Sequence, residues 1–256
     1  MKLTLLGVMG SVPGGQSDLG KNTTSLLIES NNNSILIDSG TGIINYFDQS
    51  KDNNHYILFT HYHLDHIIGL PFIQQLYQSD QTFHMYGPQL HAHNTSTILP
   101  TFLKEPFFPI DVSDVASTIT HQTLKEKTAY TINQFKVNTM LVDHPGNCMV
   151  YSILCNGGKI TVLTDFPNES HNWNEIIKFS ANSDIIYIDG YLMKKEMEHL
   201  NLYGHCTIEK AIDLFQLSNS KKLILSHHKN NRMYNEIKDY ESDNITIAIE
   251  NQVYSI

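Results

Sequence analysis

The sequence of 256 residues is poor in cysteine and in arginine. It contains three cysteines, Cys148, Cys155 and Cys206, and a single arginine, Arg232. An odd number of cysteines without a Cys-x-x-Cys pair argues against a disulfide framework and is typical of reduced thiols in a cytosol. One arginine and a net charge of -9 disfavour a protein that grips a long nucleic acid, because such proteins cluster lysine and arginine on one face.

Long apolar runs are absent as well. No uninterrupted apolar stretch reaches the length that a membrane span needs, so no membrane partner is expected. The apolar segment Met1 to Met9 is short and lacks a small-residue cleavage pattern, so it predicts a first strand and not a signal peptide. With 41% hydrophobic and 17% charged residues, the composition is that of a soluble globular protein. We expect a cytoplasmic protein with one domain over residues 1–256, since neither a repeat nor a linker interrupts the chain.

The most informative stretch is Thr-His-Tyr-His-Leu-Asp-His, residues 60–66. It follows an apolar run that predicts a strand and precedes a segment that predicts a helix. Alternate side chains at the end of a strand share a face, so His61 and His63 point the same way. Asp65 and His66 fall where the chain turns, and they can approach the same point from a second direction. Imidazoles and a carboxylate at this spacing predict a metal site and not a solvated histidine-rich turn.

Histidine or aspartate also follows four later predicted strands. The five predicted strands that end in this way are Ile57–Phe59, Phe135–Val142, Lys159–Leu163, Ile185–Ile188 and Leu223–Leu225. The second to the fifth of these strands are followed, in order, by His144, Asp165, Asp189 and His227. Ligand sites in open sheets gather beyond the carboxyl ends of strands, so we expect these side chains to converge.

Further elements follow from local patterns. The predicted strands are Lys2–Val8, Thr24–Glu29, Ser34–Ile37, Thr82–Tyr86 and Val150–Cys155, the last paired with Lys159–Leu163 through Asn-Gly-Gly, and the predicted helices are Ile67–Tyr77 and Ile208–Gln216. Glycines in the loop Gly10 to Gly15 allow a close approach of the backbone to a ligand. Asp38 is by itself typical of a turn, but it could orient a ligating histidine.

Several aromatic and histidine residues have no clear place in this pattern. We expect His84, His91 and His93 to be surface or core histidines. The proline-rich segment that carries Phe102, Phe107 and Phe108 predicts core packing, with a surface for stacking a nucleobase as the alternative. Trp173 and Tyr191 are candidate interface residues, although core or surface packing fits them equally well.

The His-x-His-x-Asp-His pattern at residues 61–66 is the signature of the metallo-β-lactamase superfamily, and the chain resembles that family. Three later residues match its further metal motifs in order: His144, Asp165 and His227. The resemblance extends from Asp38 to His227. It implies an α/β fold, the metallo-β-lactamase-like four-layer αββα sandwich.

Transferred residue by residue, the resemblance implies two divalent metal ions. Their ligands would be His61, His63 and His144 for one ion and Asp65, His66 and His227 for the other, with Asp165 bridging them. We expect zinc, with Mn2+ or Fe2+ as alternatives, because histidine and aspartate suit all three. His228 could replace His227, but the family pattern favours His227.

The segment Gly204-His205-Cys206-Thr207 resembles the Gly-His-Ser-Thr element of ribonuclease Z and related phosphodiesterases, with Cys206 in place of serine. The resemblance implies that Asp65, His205 and Asp189 are catalytic. His205 would donate a proton to the leaving alkoxide, held by Asp189, which is shorter than the glutamate common in ribonuclease Z. The alternative is that His205 caps the helix that begins near Ile208.

One departure from ribonuclease Z narrows the expected substrate. Bacterial ribonuclease Z carries a long arm that grips tRNA between the third and fourth motifs, whereas a hairpin alone separates His144 and Asp165 here. The opening Gly-Val-Met-Gly-Ser-Val-Pro, residues 7–13, and the later Gly-His element look more like small phosphodiesterases of cyclic nucleotides. These include anti-Pycsar enzymes of phages or bacteria, which destroy pyrimidine cyclic nucleotide signals of a bacterial defence.

This resemblance implies hydrolysis of 3′,5′-cyclic nucleotides, cCMP and cUMP with cAMP and cGMP, to nucleoside monophosphates. For such an enzyme we expect a homodimer, in the host cytoplasm if a phage encodes it. The alternatives are a tRNA 3′ endonuclease of the ribonuclease Z type, a lactonase or thioesterase, and a non-catalytic nucleotide sponge.

Overall fold

A computed structural model of the chain describes residues 1–197 and 204–256, and the strands in these ranges form two sheets of seven strands each. The strands are β1 (Lys2–Gly7), β2 (Ser25–Ser30), β3 (Asn33–Ile37), β4 (Asn54–Leu58), β5 (Thr82–Pro88), β6 (Thr118–Leu124), β7 (Ala129–Ile132), β8 (Phe135–Val142), β9 (Cys148–Cys155), β10 (Gly158–Leu163), β11 (Ile185–Asp189), β12 (Leu223–Ser226), β13 (Ile245–Ile247) and β14 (Val253–Ser255). The first sheet has the order β14-β1-β2-β3-β4-β5-β6 and the second the order β13-β12-β11-β10-β9-β8-β7.

The helices lie outside the two sheets. In the described ranges, the α-helices are α1 (Ile43–Phe47), α2 (Leu64–Ile67), α3 (Thr95–Phe102), α4 (Trp173–Ser180), α5 (Ile208–Ser218) and α6 (Tyr234–Ile237), and 3₁₀ turns cover Leu70–Phe72, Gln74–Tyr77, Val112–Asp114, Lys194–Glu196 and Lys238–Tyr240. In the described part of the chain, none of these helices combines the length and the apolar character that crossing a membrane requires.

Two apolar clusters arrange these elements in layers. Leu3 and Leu5 of β1 pack with Val150 of β9 in a cluster between the sheets, because alternate side chains of each strand face inward. Leu36 and Ile57 belong to a second cluster, which joins the other face of the first sheet to α1, α2 and α3. On the far side, α4 and α5 pack on the second sheet. The predicted α/β fold, an αββα sandwich, is confirmed.

The strand directions bring the ends of both sheets to one edge. β3, β4, β5 and β6 are parallel in the first sheet, and β10, β11, β12 and β13 are parallel in the second. β8 runs in the same direction as β10, since each pairs antiparallel with β9. The loops that follow the carboxyl ends of β4, β8, β10 and β12 therefore meet.

The β9–β10 hairpin confirms one prediction in detail. Its turn residues Asn156 and Gly157 have φ angles of 50° and 81°, which is the left-handed backbone that a type I′ turn needs.

Strands β6, β7, β13 and β14 were not predicted. β6 has a largely polar sequence and is mostly exposed, and its pairing with β5, not its own side chains, makes it a strand.

The predicted helix from Ile67 to Tyr77 is wrong. The α-helix ends at Ile67, and two 3₁₀ turns follow it. Pro71 has no backbone N–H, and its ring disfavours a continuous α-helix through this point. Gly69 also approaches the loop after β3 so closely that a Cβ would lie 2.2 Å from the oxygen of Gly40.

The aromatic segment is only partly buried. Phe108 packs edge-on against Phe72 with 5.5 Å between ring centroids, but 73% of Phe107 is exposed. Core packing is therefore wrong for Phe107. Its ring remains available for a contact outside this chain.

Candidate metal centre

The seven residues predicted as metal ligands come together where the two sheets meet. In the described ranges, their ligand atoms form two groups within 4.8 Å, His61 with His63, His144 and Asp165, and Asp65 with His66 and His227. The first group draws on the loop after β4 and on the ends of β8 and β10. The second group joins that same loop to the end of β12. Both sheets are needed to build either group.

Asp165 lies between the two groups. Its Oδ2 is 2.9 Å from Nε2 of His66, and its Oδ1 is 3.5 Å from Nε2 of His144 and 3.4 Å from Nε2 of His227. Although its burial acts in the opposite direction, the histidines around it hold the pKa of Asp165 well below its usual value. Oδ1 thus contacts histidines of both groups and Oδ2 contacts His66, so an ionised Asp165 could serve as a ligand shared by two ions.

The imidazoles are oriented for metal binding. His61, His66 and His227 are at most 1% exposed. Nε2 of His61 and of His227 has no hydrogen-bond partner among the described residues, and Nε2 of His66 faces the Asp165 carboxylate without the geometry of a hydrogen bond. A buried nitrogen without a partner is costly, and a metal ion would satisfy its lone pair. Nitrogen and carboxylate ligands in this number suit divalent transition metals. The cluster can therefore bind metal.

The other nitrogen of each ring is held by the protein. Nδ1 of His66 lies 2.8 Å from Oδ2 of Asp38, and Nδ1 of His227 lies 2.9 Å from Oγ1 of Thr24. Asp38 also accepts hydrogen bonds from the backbone N–H and the hydroxyl of Thr60, both at 2.8 Å. These contacts fix the ring tautomers and direct Nε2 into the site. The predicted orienting role of Asp38 fits this geometry.

Three residues of the site have an unusual backbone. Asp38, Asp165 and His227 have φ angles of 58°, 49° and 53°, and each follows a strand within two residues. The left-handed region is uncommon for residues other than glycine, so the surrounding structure must hold it. This backbone conformation breaks the alternating directions of the strand's side chains and directs the side chain into the site. Sequence analysis missed this feature, because no local pattern predicts it.

The loop after β1 lies directly on the metal-ligand cluster. A Cβ on Gly10 would lie 2.6 Å from Nε2 of His227, so the residue at this position must be glycine. The next backbone N–H, of Ser11, donates to Oδ2 of Asp65 at 2.8 Å. The close approach that the glycines predict is thus an approach to the ligands themselves.

The structure distinguishes the two neighbouring histidines after β12. Nε2 of His228 lies 2.9 Å from the backbone oxygen of Ala248, and burial lowers the pKa of His228 to about 4. Its ring is therefore neutral and faces the protein interior. His227, and not His228, faces the other ligands.

His205 lies beside the ligands and pairs with Asp189. Its Nδ1 is 2.7 Å from Oδ2 of Asp189. Although burial acts in the opposite direction, this carboxylate raises the pKa of His205 to about 9. The hydroxyl of Thr207 caps α5 by accepting the N–H of Lys210 at 3.2 Å. The alternative that His205 is the helix cap is therefore wrong.

Sequence analysis missed Tyr191 as a residue of the site. Its ring is stacked on that of His205, with centroids 4.3 Å apart and an angle of 19° between the planes. Its hydroxyl is 3.2 Å from Oγ of Ser11. The residue is 9% exposed. It packs within this chain, which favours the predicted core packing over an interface position.

A small cavity adjoins the cluster. It has a volume of about 120 Å³ and extends from His61 and His63 to Leu90, His91 and His93. His84 lies elsewhere and bonds Thr120 through Nδ1 at 2.8 Å. Two of the three histidines predicted as surface or core residues therefore line the approach to the ligands.

Comparison with known proteins identifies the family. Residues 33–228, more than half of the chain, match the model of the beta-lactamase superfamily domain. The chain is 25% identical to Ribonuclease Z of Picrophilus torridus, over 94% of this chain and 92% of that protein.

Two solved structures share the fold. Human tRNase Z, short form, has a TM-score of 0.76 and 20% identity over 100% of this chain and 99% of that one. Yeast PDE1 has a TM-score of 0.69 and 15% identity over 100% of this chain and 99% of that one. With the family model, the fold and the ligand cluster in agreement, the chain belongs to the metallo-β-lactamase superfamily.

Proposed function

We propose that this chain, a metal-dependent hydrolase of the metallo-β-lactamase superfamily, hydrolyses 3′,5′-cyclic nucleotides to nucleoside monophosphates. The observation that carries the proposal is the His205–Asp189 pair beside the ligand cluster. Expelling an alkoxide near neutral pH requires a positioned proton donor, whereas a lactone or a thioester has much less need of one.

The ligand set can hold two ions. His61, His63 and His144 would hold one, and Asp65, His66 and His227 the other, with Asp165 between them. Zinc is the proposed metal, since histidine dominates the set. Two divalent ions held there would supply a hydroxide nucleophile near neutral pH and offset the negative charge of the phosphate oxygens.

The protein's own residues position the proton. Asp189 holds Nδ1 of His205 at 2.7 Å, which fixes the ring and leaves Nε2 to protonate the departing ribose oxygen. The ring of His205 lies 5.4 Å from that of His144 and 5.1 Å from that of His227, between centroids. The donor therefore flanks both groups of ligands, where a phosphodiester would be bound.

Two features support a small substrate. Arg232, the single arginine, is 3% exposed and donates to Glu196 and Glu236, so it is not part of a surface that could hold RNA. Only the β9–β10 hairpin lies between His144 and Asp165. We propose pyrimidine cyclic nucleotides as the first substrates, with evasion of a host defence signal as the biological role and a homodimer as the working form.

A tRNA 3′ endonuclease is the second candidate, because the curated relative with 25% identity is named Ribonuclease Z. A nucleotide sponge would share the binding site but would capture its ligand without turnover.

The test is turnover by the metal-loaded protein on cCMP, cUMP, cAMP and cGMP. We expect ring opening that is lost in Asp65→Ala and retained in the control variant Asp143→Ala. Asp143 precedes His144 in the sequence, but its exposed carboxylate bonds His171. Turnover of precursor tRNA with none on the four cyclic nucleotides would overturn the substrate and leave the hydrolase. Stoichiometric binding without product would indicate the sponge.

A further inference from the structure

A buried polar network links the single arginine of the chain to the proton donor. One terminal nitrogen of Arg232 donates to the backbone oxygen of Tyr191 at 3.1 Å and to Oε2 of Glu196 at 2.6 Å. The same Glu196 oxygen accepts the N–H of Met193 at 2.8 Å. A planar guanidinium that bonds a carbonyl and a carboxylate together fixes the segment that follows β11.

Tyr191 contacts both members of the catalytic pair. Its backbone N–H donates to Oδ1 of Asp189 at 2.8 Å, while the other oxygen of Asp189 holds His205. Its ring covers one face of the His205 imidazole, with 4.3 Å between centroids. The tyrosine thus restrains the carboxylate through its backbone and the imidazole through its side chain.

The same segment is tied to the chain that carries His205. Leu192 and Thr207 form a β-bridge, and the N–H of Ile208 donates to the oxygen of Leu192 at 2.8 Å. Asp189 is fully buried, so water cannot replace a hydrogen bond that it loses. A shift of Tyr191 would therefore leave Asp189 free to rotate and His205 without a fixed direction.

We propose that Tyr191 is a positioning residue for proton transfer, which holds His205 toward the leaving oxygen, and that Arg232 anchors Tyr191 for this task. The proposal rests on the proposed function, because it takes His205 as the proton donor. It predicts an effect that depends on the leaving group. A ribose alkoxide needs the proton, whereas p-nitrophenolate departs without one.

The experiment compares kcat and KM on a cyclic nucleotide and on bis(p-nitrophenyl) phosphate. Tyr191→Leu should lower kcat on the cyclic nucleotide by about 10- to 100-fold, the scale of a misplaced catalytic group, with little change on the aryl ester. Tyr191→Phe keeps the stacked ring and should restore most of the lost rate. Arg232→Lys should show the same dependence on the leaving group, to a smaller extent.

Lys229 provides a matched control. It contacts Glu196 through the other carboxylate oxygen at 3.3 Å and has no hydrogen bond to Tyr191 among those described. Lys229→Ala should therefore leave the ratio of the two rates unchanged. His205→Ala gives the ratio expected when the proton donor is absent.

Equal losses on both substrates would make Tyr191 a purely structural residue and would overturn the proposal, as would full activity of Tyr191→Leu on the cyclic nucleotide. If Tyr191→Leu does not fold, judged by circular dichroism, Arg232→Lys decides by the same ratio of the two rates.

If the wild type hydrolyses the aryl ester but no cyclic nucleotide, the proposed substrate fails. A linear dinucleotide or precursor tRNA then supplies the alkoxide leaving group for the same comparison.

Discussion

The two sheets contribute to the site in different ways. The first sheet supplies four candidate ligands from one continuous loop, residues 61–66 after β4. The second sheet supplies single residues at or just beyond the ends of four separate strands: His144, Asp165, Asp189 and His227. A continuous motif can be recognised in the sequence, because its spacing alone determines which side chains share a face. Scattered residues become a site only when strand order and direction bring their ends together.

The two contributions also depend on each other. Thr24, which follows the loop after β1 and precedes β2, holds His227 of the second sheet. The backbone oxygen of Gly204, which precedes α5, holds Nδ1 of His144 at 3.1 Å. The second sheet therefore depends on the first to orient His227, whereas Asp38 and Gly204 each hold a histidine of their own sheet. The two sheets thus differ in how their site residues are spaced along the sequence, but together they form one site. Variants in each sheet test this dependence, in order of decreasing effect.

The largest effect is expected from Asp165→Ala in the second sheet. Asp165 contacts histidines of both groups, so its loss should remove bound metal and reduce turnover to background. Metal content by mass spectrometry and turnover measure this. The matched control, Asp143→Ala, removes an exposed carboxylate directly after β8 in the same sheet and should retain both. Retention of full metal content by Asp165→Ala would show that the loop of the first sheet is sufficient.

His205→Ala should act on turnover and not on metal. Removing a general acid costs roughly 10²- to 10⁴-fold in rate, and the seven predicted ligands remain in place. The measurements are kcat on a cyclic nucleotide and metal content of the same preparation. A variant that loses metal would instead make His205 a ligand, an outcome that its position near Asp165 and His227 allows.

The smallest effect is expected from the residues that orient the rings. Asp38→Asn in the first sheet should lower metal affinity by about 10- to 100-fold, as for other groups that hold a ligating histidine. Competition with a chelator measures the affinity. Thr24→Val removes the corresponding contact to His227, and it should cost less, because a hydroxyl forms a weaker bond to imidazole than a carboxylate does. A larger loss in Thr24→Val would reverse the order of the two contacts.

Much of the fold could be predicted from local patterns. Alternating or continuous apolar runs located the central strands of both sheets, and Asn-Gly-Gly located the β9–β10 hairpin. Edge strands such as β6 and β14 were missed, because their short or polar sequences resemble loops. The helix expected after Ile67 failed at Gly69 and Pro71, where the tertiary contact with Gly40 and the missing N–H outweigh helical periodicity.

Tyr191 shows what could not be predicted about the site from the sequence. Its sequence position, two residues after Asp189, gave no sign of a contact with His205, which lies 14 residues further along the chain. The contact exists because the segment after β11 pairs with the segment before α5. Phe107 shows the same limit for burial, since an aromatic residue among prolines predicts packing and is in fact exposed.

The sequence by itself determined the chemistry of this protein: which side chains are available as ligands, and that a histidine and an aspartate accompany them. The tertiary structure alone decided how those groups are directed. It directed His227 toward the other candidate ligands and His228 toward the backbone of Ala248, and it held Asp38 and Asp165 in the left-handed backbone. The physical reason is that ligand type is a property of a residue, whereas the direction of a buried side chain depends on hydrogen bonds and packing from segments far away in sequence.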